Sequence, residues 1–289
     1  MGAAATTPGL WDWSFDPPLV LLILTAALYW TGSRRTVTPA RTRREQRLAA
    51  ISFYTALLVL AIALSSPLDA LSETAFWAHM AQHVLLLVVA PPLIVLARPW
   101  SRLWRALPLG TRRDLGRGLV LGRRAGPLRR LSRFLGSPAP TFALFSVVLL
   151  AWHVPALFDA TLRSSELHAL EHSLFFLTAL MFWKQVIDSP PLRAPLGWPQ
   201  RLGYVVGAMV VSWVLAVVLA LAPHPLYATY AHEATRPGGI SAIGDQQLAA
   251  GIMWVPGSIT FLIVIFVYVH RWLTPPSIRT QPSRLAGEH

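Results

Sequence analysis

The sequence predicts an all-α, polytopic membrane protein with seven transmembrane helices, its N-terminus outside and its C-terminus cytoplasmic. Three observations carry that expectation. Hydrophobic residues make up 54% of the 289 and charged residues only 13%, against roughly 25% charged in a soluble domain. Apolar runs long enough to cross about 30 Å of hydrocarbon recur along the whole chain. The basic residues are confined almost entirely to alternate connections between those runs.

The runs place spans at about Pro17–Gly32, Leu48–Ser65, Thr74–Ala97, Pro140–Ala160, Glu166–Ile187, Leu202–Ala222 and Asp245–Leu273, all within one integral membrane domain, residues 1–289. The first is not read as a cleaved signal: Asp12 and Asp16 precede it and the first basic residue, Arg34, follows it, which reverses the polarity of a secretory leader. The third carries Pro91-Pro92 and the last Pro256-Gly257, where a missing N–H is expected to kink the helix and free carbonyls for neighbours. The longest connection, Arg98 to about Pro138, has no room for a soluble domain but suits an amphipathic interfacial stretch.

Charge sets the orientation. The connection after the first span carries Arg34, Arg35, Arg41, Arg43, Arg44 and Arg47, and eleven arginines lie between Arg98 and Arg133. Lys184, Arg193 and Arg201 follow the fifth span, and Arg271, Arg279 and Arg284 the seventh. That leaves only Arg163 and Arg236 of the 25 basic residues on the other side, so the Arg-rich side is cytoplasmic. The net charge of +12 thereby reads as a topology signal plus attraction to anionic membrane lipid, and nucleic acid is not an expected partner.

With this topology, seven of the nine histidines gather at the outer face. His79 and His83 open the third span, His153 lies near the outer end of the fourth, and His168 and His172 open the fifth. His224 and His232 fall in a polar external loop and are read as ordinary loop residues, while His270 and His289 are on the inner side. His79/His83 and His168/His172 are both i,i+4 pairs, so each pair projects from one side of its helix. Two such helices at matching depth with a third histidine opposite form the pattern of a metal site in a bundle. Ionisable groups at that depth usually face the bundle interior. Isolated, each would serve equally well as an interhelical hydrogen-bonding group.

Asp245, at the start of the last span, joins this set as a candidate ligand or as a carboxylate stabilised at a helix N-terminus. Glu171, beside His172, is a candidate to orient an imidazole. Met80 and Met253 lie at outer-half positions as candidate thioether ligands or as ordinary packing residues. The chain has no cysteine, so imidazole, carboxylate and thioether are the donors at hand. That set puts a copper ion ahead of zinc and leaves haem between two histidines as a further option.

Four stretches carry a family resemblance: "HMAQHVLLLVVAPPLIVLARP" (His79–Pro99), "WHVPALFDATL" (Trp152–Leu162), "HALEHSLFFLTALMFW" (His168–Trp183) and "DQQLAAGIMWVPGSITFL" (Asp245–Leu262). Together, in this order, they resemble the seven-helix CtaG family of cytochrome c oxidase assembly factors. The resemblance implies a non-enzymatic, multi-pass protein of the bacterial inner membrane that helps mature the terminal oxidase, with copper handled at the outer face. It implies cytochrome c oxidase subunits or a copper chaperone as partners. The family pattern places its histidines at His79, His83, His153, His168 and His172 and its aspartate at Asp245; it also includes Gln82, Gln246 and Gln247, whose roles the sequence leaves open.

Other classes compete with this reading. A copper transporter needs a ligand relay to the inner side, where only His270 and Met181 stand. An intramembrane metallopeptidase is suggested by the order H-x-x-E-H at His168, Glu171 and His172, but leaves His79, His83 and His153 unexplained. A haem-binding membrane protein would use histidines from two helices. A retinal protein is excluded, because the sole lysine, Lys184, is on the fifth span and the last helix has no amine.

Overall fold

The computed structural model describes residues 13–35, 43–118, 122, 126–234 and 236–274. Asp12, His289 and the arginines at 41, 123, 124, 279 and 284 lie outside them. The described residues form helices throughout, with no strand beyond one isolated bridge between Ser189 and Leu192. In order these are α1 (Pro17–Arg34), α2 (Arg43–Ser65), α3 (Pro67–Ser72), α4 (Phe76–Val84), a π-turn (Leu85–Val89), α5 (Ala90–Ala97), α6 (Trp100–Ala106) and α7 (Leu109–Gly116). Then follow α8 (Gly126–Leu135), α9 (Pro138–Trp152), α10 (Pro155–Thr161), α11 (Ser165–Val186), α12 (Trp198–Leu221), α13 (Ala228–Ala231) and α14 (Ala242–Leu273), with a 3-10 turn at Pro237–Gly239.

Local chemistry starts these helices where they start. Proline, whose missing N–H costs nothing in the first turn, opens α1, α3, α9, α10 and α12. Ser66, Ser164 and Ser241 accept backbone N–H bonds at the heads of α3, α11 and α14. The chain is a helical membrane protein: among the described residues, four helices (α2, the continuous α4–α5 unit, α12 and α14) are long and apolar enough to cross a bilayer. A fifth is added if α8 and α9, bent by 75° to one another, form a broken span. Val255, Ile259, Leu262, Ile263 and Phe266 of α14 are exposed, as suits a lipid-facing surface.

The seven apolar runs of the sequence exceed these spans for physical reasons. The fourth run is cut at His153-Val154, because the residue before Pro155 avoids the helical region. The fifth, α11, gives up apolar positions to Glu166, His168, Glu171, His172 and Lys184. The first, α1, ends in the polar and aromatic run Tyr29-Trp30-Thr31-Gly32-Ser33-Arg34.

Two apolar cores hold the bundle. Phe76, Phe158, Phe175, Phe182, Trp183 and Phe261 belong to the larger, which joins α4, α9, α11, α12 and α14. Tyr29, Phe53, Leu86 and Ile94 belong to the smaller, where α1 and α2 meet the π-turn and α5. Arg102 of α6 donates to the Tyr29 hydroxyl, and a Cβ at Gly32 would collide with the Arg102 carbonyl. That close approach is why glycine stands there.

The two expected proline interruptions differ. At Pro91-Pro92 the helix widens into the π-turn, and the indole N–H of Trp183 donates to the Leu87 carbonyl, 2.9 Å away. Leu87 is the residue whose carbonyl an ordinary residue 91 would have satisfied. At Pro256, α14 continues as one helix.

Candidate metal centre

The residues that the sequence singles out arrive from three directions. His79 and His83 sit on α4, His168 and His172 on α11, and His153 at the α9–α10 break. Helical spacing stacks each i,i+4 pair on one face. His79 and His83 have ring centroids 4.5 Å apart, and His168 and His172 4.2 Å. Across the helices, His79 and His168 are 5.0 Å apart, His83 and His172 5.5 Å, and His83 and His153 5.7 Å. All five histidines therefore form one cluster. His224 and His232 are exposed and stand apart from it, His232 donating to the carbonyl of Ala228.

One ligand atom from each of His79, His168, Glu171 and His172 lies within 4.8 Å of the others. Glu171 is fully buried, and its carboxylate oxygens lie 3.7 Å from His79 Nε2 and 3.6 Å from His83 Nε2. Both oxygens lack a hydrogen-bond partner, as do Nε2 of His79, His153, His168 and His172 and both nitrogens of His83. Burying so many polar atoms unpaired is costly. A cation among them would use the lone pairs that nothing else takes up, so the residues present fit a metal.

The partners on the far side of two rings show which nitrogen is free. Tyr230 donates its hydroxyl hydrogen to the Ser72 carbonyl, so toward His79 Nδ1, 3.0 Å away, it can only accept. Nδ1 then carries the proton and Nε2 keeps its lone pair. His153 Nδ1 lies 2.7 Å from the Leu149 carbonyl, which accepts only, and the same assignment follows. Burial holds the Tyr230 phenol well above its ordinary pKa, so it stays protonated and able to donate. An imidazole fixed in this way by its second nitrogen is the usual arrangement of a metal-binding histidine.

Carboxylates hold the frame. Asp245 accepts from the backbone N–H groups of Phe76 and Trp77, both at 2.9 Å, and so caps α4 one turn before His79. It is not among the atoms that converge in the cluster. Asp159 does the same for α13, accepting from Ala228 and Thr229 at 3.1 Å, and thereby sets Tyr230. Tyr227 donates to the carbonyl of His153 itself. Asp159, Tyr227 and Tyr230 were not among the expected site residues, since their partners lie far off in sequence and nothing local marks them.

Gln82 donates to the Ala63 carbonyl and to Asp69, while Gln246 clasps Leu226 N–H and the Leu219 carbonyl. Their roles are structural. Met80 is fully buried in the large core. Met253 lines a cavity of about 30 Å³ together with His83 and His153. Phe158 and Phe175 pack on the His79 and His83 rings, at 4.9 and 4.6 Å, and give the cluster an apolar wall.

Comparison with known proteins agrees with the sequence resemblance. The family model for the cytochrome c oxidase caa3 assembly factor matches residues 27–274. Uncharacterized proteins of Mycobacterium bovis and Mycobacterium tuberculosis are each 26% identical over 226 residues, covering 77% of this chain and 33% of theirs. One of Mycobacterium leprae is 24% identical over 230 residues, covering 77% and 34%. The chain thus spans about a third of the length of these relatives. No solved structure matches.

Proposed function

The chain belongs to the cytochrome c oxidase caa3 assembly factor family, and from that premise we propose that it binds copper in the histidine cluster and hands it on during maturation of the oxidase copper centres. The observation that supports this most directly is the convergence of unpaired donors from His79, His168, Glu171 and His172 deep in the bundle. Imidazole and carboxylate suit copper and zinc alike, and Met253, which lines one cavity with His83 and His153, would favour Cu(I) through its thioether.

In this role the protein is a carrier surface, not an enzyme. Its residues bind, orient and shield the cargo ion: Tyr230 and Leu149 fix two imidazoles, Asp245 and Asp159 hold the elements that present them, and the phenylalanines supply an apolar wall. Rings packed at 4.2–5.9 Å leave no flat slot for a porphyrin, which argues against haem. The charge asymmetry supports seven crossings, with α1, α11 and the α9–α10 unit as the remaining spans, the arginines of α8 on the cytoplasmic side, and the cluster toward the outer face of the bacterial inner membrane. There it would meet oxidase subunits or a copper chaperone.

The test is elemental analysis of the detergent-purified full chain beside the double variant His83→Ala/His172→Ala. Copper in the wild type alone supports the reading, and equal copper in both defeats it.

A further inference from the structure

We propose that the cluster holds two metal ions bridged by Glu171, the second at a position built from His83, His153 and the Met253 thioether. This rests on the copper reading above and divides its site in two.

The division follows from which atoms face which. His79, His168 and His172 converge with Glu171, while His83 and His153 stand outside that set. Their rings meet edge-on, centroids 5.7 Å apart and planes at 74°, and His83 Nδ1, His83 Nε2 and His153 Nε2 are all buried and unpartnered. Both residues line the cavity of about 30 Å³, whose other walls include Leu87, Leu149, Met253 and Phe261. Of the serines there, Ser258 is already engaged, donating to the Trp254 carbonyl and accepting from the Trp213 indole.

That space is large enough for a single small occupant. A water would find hydrogen bonds at the histidines and the Ser212 hydroxyl, whereas a soft cation would use the histidines and the Met253 thioether. The Glu171 carboxylate addresses both positions, one oxygen toward His79 Nε2 and the other toward His83 Nε2. Five imidazoles and a carboxylate exceed what one tetrahedral ion takes. Shared between two ions, each of the five imidazoles supplies one lone pair and each Glu171 oxygen serves one position. The two positions differ in softness: three imidazoles serve the first, while two imidazoles and a thioether make the second the one that selects Cu(I).

The experiment is an anaerobic titration of the full chain in detergent with chelator-buffered Cu(I), read by copper per chain and by X-ray absorption at the copper edge. The wild type is expected to bind two copper ions per chain and to show a copper–sulfur scattering shell. Met253→Leu, which conserves core volume, should abolish that shell and weaken one of the two. His168→Asn should weaken the other and keep the shell. A single copper per chain without sulfur scattering, unchanged in Met253→Leu, overturns the second position and leaves the copper reading intact. No copper bound at all overturns the copper reading and this inference with it.

Discussion

His79 Nδ1 lies 3.0 Å from the hydroxyl of Tyr230, a residue 151 positions further along the chain. Because that hydroxyl donates to the Ser72 carbonyl, it fixes the imidazole with Nε2 as the lone-pair nitrogen. Tyr230→Phe removes the acceptor and frees the ring to turn or change tautomer. Loss of such a partner typically weakens metal binding by about 10–100-fold. Competition against a Cu(I) chelator should show that loss while circular dichroism keeps the helical signal. An unchanged affinity would mean that Tyr230 does not set the ring.

Asp245 provides a contrast between ligand and frame. With both oxygens committed to the Phe76 and Trp77 N–H groups, its removal is expected to act through α4. Asp245→Ala should lower stability by about 1–2 kcal/mol, the upper range for a helix cap. Asp245→Asn, which keeps one acceptor oxygen, should cost less. The readout is the thermal midpoint of metal-free protein in detergent. If instead the midpoint held and copper stoichiometry fell, Asp245 would be a ligand.

Trp183 covers the break that Pro91 opens. In Trp183→Phe the Leu87 carbonyl loses its donor, and a buried unsatisfied carbonyl costs about 1–3 kcal/mol. Pro91→Ala supplies an N–H at the same place, so the two changes together should destabilise less than their sum. A double-mutant cycle measures that coupling, and strict additivity would show that the indole does not stand in for the N–H missing at Pro91.

How far the sequence exposes this site depends on the range of the interaction. The i,i+4 histidine pairs are legible because helical periodicity is local, and His153 is legible as a polar residue near the end of an apolar run. The break in the fourth apolar run is less legible, because hydropathy continues through Val154 and only the conformational restriction before Pro155 ends the helix there. Caps made by Asp245 and Asp159 join residues far apart in sequence. A carboxylate before a span looks the same whether it caps its own helix, another helix or a metal. The central position of Glu171, read from sequence as an orienting group, depends on two helices packing face to face. The Pro91-Pro92 break is visible in the sequence, but its compensation by Trp183 is a tertiary fact.

Asp69, in the short α3 outside the spans, gives a pH dependence. Burial pushes its carboxyl up to about 6; the Gln82 hydrogen bond opposes this, and the Asp16 and Glu73 charges add to it. A carboxyl that holds its proton more tightly when folded makes the fold less stable as pH rises from about 4 to about 6. Asp69→Asn keeps an oxygen for Gln82 and carries no charge. It should therefore exceed the wild type in stability above pH 6 by roughly 1 kcal/mol, solvent screening of a half-buried group allowed for. That margin should vanish as pH falls toward 4. Thermal midpoints of the two proteins across this range check it, and a constant difference would rule out Asp69 as the titrating group.

Glu171→Gln separates delivery from hydrolysis. In a peptidase with the H-x-x-E-H order the glutamate activates water and is not a ligand, so the variant would keep its metal and lose its function. Here the carboxylate lies buried between His79 and His83 with no hydrogen-bond donor on either oxygen. It is thus the one anion available to balance a cation held by neutral imidazoles. The amide has similar size but no charge, and its NH₂ group would point a donor at the space where a cation belongs. The expected outcome is copper affinity lowered by more than about 10-fold, with oxidase maturation lost in parallel in cells carrying the variant. Wild-type affinity together with lost function would return Glu171 to a role in activating water. Wild-type affinity with intact oxidase would show that the carboxylate neither binds nor bridges.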